Sequence, residues 1–264
     1  MTKPDLDGRI TAHRQGNLHL IGLDRPKKLN AFTPKMLDEL AAAYDAFESD
    51  PDARAAVLFA HGDHFTAGLD LPEVAQRLRE TGSAFLPGTV DPLDVVAPYR
   101  SKPVVAAVRG YCYTIGIELM LAADIVVAGA ETRFRQHEVG RGIMAGGGAT
   151  FRFVERAGWG NAMMYLLTGD EFGAEEARRI HFVQEVVETG RDIERSTQIA
   201  TRIAEQAPLA VAATRVNARL ALHAGREAAI ADINPRQAKL SASEDAAEGL
   251  RSFVERRAAQ FRGC

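Results

Sequence analysis

Glu118 is the only charged residue in an otherwise apolar predicted helix that begins near Thr114 or Ile115. Strand-like runs lie on either side of this helix, at residues 103–108 and 125–128. Burial of a lone carboxylate costs free energy unless the group has a partner or a chemical role. Glu118 is therefore a candidate acid or base, and a capping or ion-paired glutamate is the alternative.

A second carboxylate, Glu138, lies downstream in the segment Phe134-Arg-Gln-His-Glu-Val139. Two carboxylates that meet at one water molecule can add it to a double bond, because one activates the water while the other holds it and helps to deliver a proton. The spacing of the two glutamates does not determine whether they meet. Taken alone, Glu138 is more typical of a solvated loop glutamate.

Two segments can supply backbone N–H groups to a developing oxyanion. The first is Thr66-Ala-Gly-Leu-Asp-Leu71, in which Gly68 permits an unusual backbone path. The second is the helix start at Ile115, where free N–H groups and the helix dipole favour negative charge. Loss of one such donor costs roughly 3 kcal/mol. Without its partner, the stretch 67–69 is simply an ordinary strand-to-helix turn.

The order and spacing of the 66–71 motif, Glu118 and Glu138 resemble those of the crotonase (enoyl-CoA hydratase/isomerase) superfamily. The likeness extends from about Leu23 to the C-terminus. It implies an α/β fold, a crotonase-like spiral of ββα turns with a C-terminal all-helical module. It also implies an acyl-CoA substrate and no cofactor, since coenzyme A is part of the substrate. The implied catalytic groups are the N–H groups of Leu69 and Ile115 and the carboxylates of Glu118 and Glu138.

Several residues are candidates for contact with coenzyme A. Arg25, Lys27 and Lys28 follow a predicted strand and can meet its phosphates, although a solvated turn is the more frequent fate of such residues. Arg256 corresponds to a basic residue of the family's closing helix; the alternative is an amphipathic helix with its arginines in water. The other expected substrate and coenzyme A contacts are Ala67, Gly68, Asp70 and Gly146.

Four positions depart from the family pattern. The family usually has glycines where this chain has Thr114 and Ile115, asparagine in place of Arg109, and proline in place of His137. The donor at position 115 is a backbone N–H, so the first departure narrows the pocket without removing a catalytic side chain. The departures at Arg109 and His137 bear on which acyl group fits more than on the fold.

Retention of both glutamates favours a hydratase, a lyase that adds water across C2=C3 of a 2-enoyl-CoA thioester in fatty acid metabolism. A Δ3-Δ2 enoyl-CoA isomerase is the first alternative, because one carboxylate is enough to move the proton. A non-catalytic acyl-CoA-binding protein of the same fold is the second. A dienoyl isomerase would resemble a pattern with aspartate at position 118 and a further acid near Gly146, and neither is present.

Composition limits the possible partners. The chain has 264 residues, 46% of them hydrophobic, and a net charge of −3, which argues against nucleic acid and anionic membranes as partners. Its two cysteines are too few for a disulfide framework or a metal set. We find no secretory signal in the first residues and no apolar run of the ~18–20 residues that span a membrane. A cytoplasmic location is the default expectation.

The strand-rich and helical parts of the sequence predict two regions. Residues 1–190 form the expected α/β core with the acyl-CoA site, and residues 191–264 the helical module. The module suggests oligomerisation and a cover over coenzyme A, and relatives are typically homotrimers or hexamers. Within it, Pro235 is expected to break or kink a helix. The weakly patterned stretch 72–100 is a plausible mobile segment over a pocket.

Overall fold

The structure, a computed structural model, describes residues 7–264 of the chain. Its main sheet has six strands in the order β1-β2-β3-β4-β6-β9, and a smaller sheet has the order β5-β7-β8. The strands are β1 (Arg9–Gln15), β2 (Leu18–Asp24), β3 (Ala55–Ala60), β4 (Val104–Val108), β5 (Tyr111–Tyr113), β6 (Ile125–Gly129), β7 (Arg133–Arg135), β8 (Glu171–Gly173) and β9 (Glu185–Val187).

Helices alternate with these strands along the first two thirds of the chain and then follow one another. They are α1 (Pro34–Ser49), α2 (Leu71–Thr81), α3 (Ile115–Ala122), α4 (Ala149–Thr168), α5 (Ala174–Arg179), α6 (Asp192–Ala204), α7 (Pro208–Ala224), α8 (Arg226–Ser241) and α9 (Glu244–Glu255). The prediction of an α/β core followed by a helical region is confirmed.

The main sheet begins with an antiparallel hairpin and continues with parallel strands. β1 pairs with β2 so that Gln15 lies opposite Leu18, as the short turn between them predicts. β2, β3, β4, β6 and β9 then pair in parallel. Parallel strands need crossover connections, and these bring the loops at the strand ends to one edge of the sheet.

Strands β3 and β4 are buried on both faces. On one face, Leu58 and Ala106 belong to the large core that includes Leu40 of α1. On the other face, Val57 and Val105 pack in a second cluster with residues of α6. This two-sided burial explains why both strands are continuous apolar runs in the sequence.

Several predicted elements differ from the observed ones. The residue pattern predicts two helices, at 146–155 and 161–167, but they form one helix, α4, which is interrupted at Gly158, whose φ is 74°. The pattern at 168–173 predicts a turn, and strand β8 lies at its end. Helix α8 continues through Pro235 rather than breaking there. Strand β5 was not predicted, because three residues between a glycine and a helix carry no clear period.

The predicted boundary after residue 190 does not coincide with a change in packing. Helix α6 lies beyond that boundary, yet it packs on the main sheet through Ala200 and Ala204. Helix α7 follows at Pro208 and packs against α8. The division into two functional regions stays a prediction.

In the described part of the chain, no helix combines the length and the apolar character that a bilayer crossing requires. The prediction that the chain lacks a secretory signal concerned its first residues. Residues 1–6 lie outside the described part of the chain, so this stays a prediction.

Candidate active site

The segment that contains Gly68 is fixed by hydrogen bonds on both sides of Leu69. Phe32 donates its N–H to the carbonyl of Gly68 at 2.9 Å, and Asp70 donates its N–H to the carbonyl of Phe32 at 2.9 Å. This parallel bridge turns the N–H of Leu69 away from Phe32. Among residues 7–264, no acceptor is found for that N–H.

The second donor segment is the start of α3. Thr114 has φ 50° and ψ −115°, a backbone conformation that glycine adopts far more readily than other residues. The sequence thus departs from the family at Thr114, but the backbone keeps a glycine-like path. Thr114 accepts N–H groups from Ile117 and Glu118. The N–H of Ile115 precedes them in the first turn and has no acceptor within the described chain.

An isolated bridge holds the two donor segments side by side. Thr66 donates its N–H to Tyr111 O at 2.9 Å and accepts the N–H of Tyr113 at 3.0 Å. A Cβ added at Gly68 would lie far inside van der Waals contact with Thr114 Oγ1. The segments that carry the Leu69 and Ile115 N–H groups are therefore neighbours in space.

Glu118 is 4% exposed, and backbone N–H groups from another segment bind its carboxylate. Gly147 donates to Glu118 Oε1 at 2.6 Å, and Ala149 donates to the same oxygen at 3.3 Å. Burial raises the pKa of Glu118, while these two N–H groups and the positive charge of Arg152 act in the opposite direction. The carboxylate of Glu118 is thus buried and held by backbone donors. Among the described residues, no side chain forms a direct ion pair with it.

Glu138 begins a short 3-10 turn, Glu138–Arg141, and is partly buried. Burial raises its pKa to about 7, and the negative charge of Glu118 adds to the rise. The charge of one carboxyl group thus acts on the other, which their spacing in the sequence did not determine. Gln136 donates from its Nε2 to Glu138 Oε1 at 2.8 Å.

Three consecutive residues each place a buried polar atom without a hydrogen-bond partner in the described chain. These atoms are Gln136 Oε1, His137 Nδ1 and Glu138 Oε2. Burial and nearby arginines lower the pKa of His137, which favours the neutral imidazole. Glu138 Oε2 is thus a buried hydrogen-bond acceptor whose capacity no group of the described chain uses.

The predicted coenzyme A contacts are in contrasting environments. Arg25 is buried, and its Nη1 donates to Asp70 Oδ2 at 2.7 Å and to Ala31 O at 3.0 Å. Arg25 and Asp70 thus brace the segment that follows Leu69. Lys27 and Lys28 are exposed in the 3-10 turn Pro26–Lys28. A role in phosphate binding stays a prediction for all three basic residues.

Of the three consecutive glycines, the one that contacts Glu118 is Gly147. Gly146 is exposed, and no described atom lies within 4 Å of a Cβ added there. Arg256 is an exposed residue with φ 55° at the end of α9. The structure does not bring Gly146 or Arg256 into contact with the glutamates, so their assignment as substrate contacts also stays a prediction.

Arg109 stands where the family usually has asparagine, and its charge is used inside the protein. Its Nε donates to Asp192 Oδ2 at 2.9 Å, and Asp192 is fully buried at the start of α6. This departure from the family pattern therefore fastens α6 to the end of β4.

Sequence reasoning missed several residues that hold the glutamates: Gln136, Gly147, Ala149 and Arg152. An arginine among apolar residues just after a glycine run was a usable signal for Arg152. The backbone donors carry no such signal, because any residue type has an N–H. Residues 7–264 contain no group of three or more His, Cys, Asp or Glu side chains that could hold a metal ion.

Comparison with known proteins identifies the family of this chain. The model of the enoyl-CoA hydratase/isomerase family matches residues 13–264. The chain is 32% identical to the 2,3-dehydroadipyl-CoA hydratase of Escherichia coli, over 96% of this chain and 98% of that protein. It is 33% identical to the mitochondrial enoyl-CoA hydratase of Pongo abelii, over 96% and 87% of the two chains.

A solved structure from Mycobacterium abscessus, described as a probable enoyl-CoA hydratase/isomerase, superposes with a TM-score of 0.93 at 48% identity. The superposition covers 97% of this chain and 98% of that one. Family model, relatives and fold agree over nearly the whole length. This chain therefore belongs to the enoyl-CoA hydratase/isomerase family, the crotonase superfamily.

Proposed function

We propose that this protein hydrates a 2-enoyl-CoA thioester, adding water across C2=C3. The observation that carries the proposal is the pair of carboxyl groups, Glu118 and Glu138, close enough for the charge of one to raise the pKa of the other. A pair of groups with perturbed pKa values suits proton transfer at neutral pH. Relatives named as hydratases support the same class of reaction.

In the proposed reaction the thioester oxygen accepts hydrogen bonds from the N–H groups of Leu69 and Ile115. Both N–H groups lack an acceptor in the described chain, and their segments are neighbours. As water attacks C3, electrons move from the double bond onto the thioester carbonyl, and the two donors stabilise the resulting enolate. The start of α3 adds the favourable end of the helix dipole.

The two glutamates would divide the proton transfers. Backbone N–H groups of Gly147 and Ala149 hold the Glu118 carboxylate in place, while burial raises its pKa, which makes it a stronger base toward water than an exposed glutamate. Glu138, with its pKa near 7, is protonated in a large fraction of molecules at neutral pH. It can give a proton to C2 as the water oxygen bonds to C3, after which the water proton held by Glu118 restores Glu138.

The decisive experiment follows the ultraviolet absorbance of the enoyl thioester with purified protein and crotonyl-CoA, with the product identified by mass. A gain of one water, giving a hydroxyacyl-CoA, is expected. Conversion of a 3-enoyl-CoA without a change in mass, and no hydroxyacyl product, would instead establish the isomerase. Tight binding of CoA esters without turnover of any ester would support a non-catalytic role.

We also propose that the protein is a homotrimer or a hexamer in the cytoplasm. Apolar side chains on α9 support assembly: Leu250 is 68% exposed, Phe253 82% and Val254 72%. Both cysteines are free, which fits a reducing compartment. Native mass measurement tests the assembly, and cell fractionation tests the location.

A further inference from the structure

Arg152 lies in the first turn of α4 and is 8% exposed. Its Nη1 donates to Gly147 O at 3.1 Å, while its Nη2 donates to Leu93 O at 2.7 Å and to Asp94 O at 3.2 Å. Burial of a guanidinium is costly unless its donors are satisfied. Here backbone carbonyls of two separate segments satisfy them, so Arg152 joins these segments.

One of the joined segments also holds Glu118. Gly147 accepts from Arg152 through its carbonyl and donates to Glu118 Oε1 through its N–H. A Cβ added at Gly147 would lie 2.5 Å from Glu118 Oε2 and 2.8 Å from Leu93 Cδ1. The backbone of Gly147 is therefore confined between the Glu118 carboxylate and Leu93, and Arg152 fixes its orientation.

The other joined segment is itself anchored to the C-terminal helices. Asp94 is 3% exposed; its Oδ2 binds Arg215 Nη2 at 2.8 Å and also forms an ion pair with Arg219. Both arginines belong to α7. A continuous set of contacts thus extends from α7 through Asp94 and Arg152 to Gly147.

We propose that Arg152 is a positioning residue for Glu118: by bridging the 93–94 segment to Gly147, it holds the backbone N–H that orients the Glu118 carboxylate. This inference rests on the proposed hydratase function. It deepens that function, because it assigns a role to a residue that is expected to touch neither substrate nor water. Displacement of a reacting group by about 1 Å can lower turnover on the order of 10²-fold.

Arg152 has a second, electrostatic effect on the same carboxylate. Its positive charge opposes the rise in the pKa of Glu118 that burial causes. The negative charge of Glu118 in turn raises the pKa of Glu138, on the 3-10 turn. The titratable and charged groups that interact with Arg152 include Glu118, Glu155, Asp91, Arg100, Arg156 and His223.

Three variants separate positioning from general stabilisation. Arg152→Gln removes the charge and the bridge, Arg152→Lys keeps the charge but cannot make the same three contacts, and Arg156→Gln is the matched control. Arg156 lies on the same helix, is partly buried, and donates to the carbonyls of Leu121 and Ala123 rather than to that of Gly147. Its loss removes a similar set of backbone hydrogen bonds away from Glu118.

We expect kcat for enoyl-CoA hydration to fall on the order of 10²-fold in Arg152→Gln and about 10-fold in Arg152→Lys, with KM nearly unchanged. The acid limb of the pH profile should move to higher pH in Arg152→Gln only. Arg156→Gln should keep kcat within a factor of about two. Equal losses in the Arg152 and Arg156 variants, or normal kcat in both Arg152 variants, would overturn the inference.

A measurement without turnover keeps this test separate from the test of the proposed function. With ¹³C-labelled glutamate, the carboxyl signal of Glu118 can be assigned by its absence from Glu118→Gln and titrated by NMR. Its midpoint should rise in Arg152→Gln relative to wild type and Arg156→Gln, and stay near wild type in Arg152→Lys. An unchanged midpoint in folded Arg152→Gln would overturn the inference even if no ester is hydrated. If Arg152→Gln does not fold, Arg152→Lys replaces it in the test, with kcat and the NMR position of the Gly147 amide signal as the two measurements. A wild-type kcat together with an unmoved Gly147 amide signal in Arg152→Lys would overturn the inference.

Discussion

Gly68 lies directly against Thr114, so that a side chain at position 68 would collide with Thr114 Oγ1. Gly68 also has φ +110°, which L-residues rarely adopt. The contact brings the two proposed oxyanion donors, on Leu69 and Ile115, into neighbouring segments.

Substitution Gly68→Ala should disable the proposed oxyanion hole. The added Cβ must push the 66–69 segment away from Thr114, which would displace the Leu69 N–H and lower kcat on the order of 10²–10³-fold. Gly88→Ala is the matched control, because Gly88 has φ +104° but no described atom within 4 Å of an added Cβ. Steady-state kinetics should show near-normal turnover in the control; normal turnover in Gly68→Ala would contradict the proposed site.

Substitution Thr114→Gly should stabilise the protein. Thr114 occupies a backbone region that costs a residue with a side chain about 1–3 kcal/mol, and glycine avoids this strain. Glycine also increases the conformational entropy of the unfolded chain, but this lowers the free energy of unfolding by only about 0.5–1 kcal/mol. We expect a net gain of about 1 kcal/mol in the free energy of unfolding, measured in urea. A loss of stability would show that packing of the Thr114 side chain on Gly68 outweighs the backbone strain.

Substitutions Glu118→Gln and Glu138→Gln should each lower turnover on the order of 10²–10⁴-fold, because each removes a proton-transfer group. Binding of a CoA ester should survive, since neither change removes the N–H donors at Leu69 and Ile115. Calorimetric titration with a non-reactive acyl-CoA measures the binding. If only one variant loses turnover and a 3-enoyl-CoA is converted, the isomerase replaces the hydratase.

The stability of the protein should depend on pH through Glu138. Its pKa rises from 4.5 to about 7 on folding, so the unfolded state ionises first as pH increases. Below pH 4.5 the group is protonated in both states and costs nothing; between pH 4.5 and 7 the folded state loses stability, and above pH 7 the loss is constant. From 1.36 kcal/mol per pKa unit, discounted for partial exposure, the loss is about 2 kcal/mol.

Glu138→Gln removes this ionisation and should be more stable than wild type at pH 8 but not at pH 4.5. Urea unfolding at the two pH values measures the difference, with Glu131→Gln as the control at an exposed glutamate. An equal difference between wild type and Glu138→Gln at both pH values would contradict the assigned environment of Glu138.

The ion pairs between Asp94 and α7 should contribute to stability. Asp94→Asn keeps the shape and tolerates the left-handed backbone at this position, φ 54°, but it removes the carboxylate partner of Arg219 and leaves Arg215 paired with Asp124. We expect a loss of about 3 kcal/mol in urea at fixed salt. Asp24→Asn, which breaks the exposed pair with Arg9, should cost less than about 1 kcal/mol. Equal, small losses would show that the Asp94 pairs contribute little.

The sequence alone determined the fold class and the family. The pair Thr33-Pro34 predicts the start of a helix with Thr33 as its cap, and Thr33 does cap α1 by accepting the N–H of Met36, because capping depends on neighbouring residues. The hairpin of β1 and β2 and the continuous apolar runs of β3 and β4 were also visible in the sequence, because turns and apolar runs are local patterns. Glu118 was evident as a candidate because a charge interrupts an apolar helix.

Only the tertiary structure decided how the site is held. Glu118 and Glu138 lie on separate elements, and their electrostatic coupling depends on how α3 and the 3-10 turn pack. The donors to Glu118 are the backbone N–H groups of Gly147 and Ala149, which no residue type reveals. The partners of Arg25 and Arg109, the buried or partly buried carboxylates of Asp70 and Asp192, were likewise not evident from the sequence. Charge and residue type are local properties of the sequence, whereas the partner of a charge depends on long-range packing.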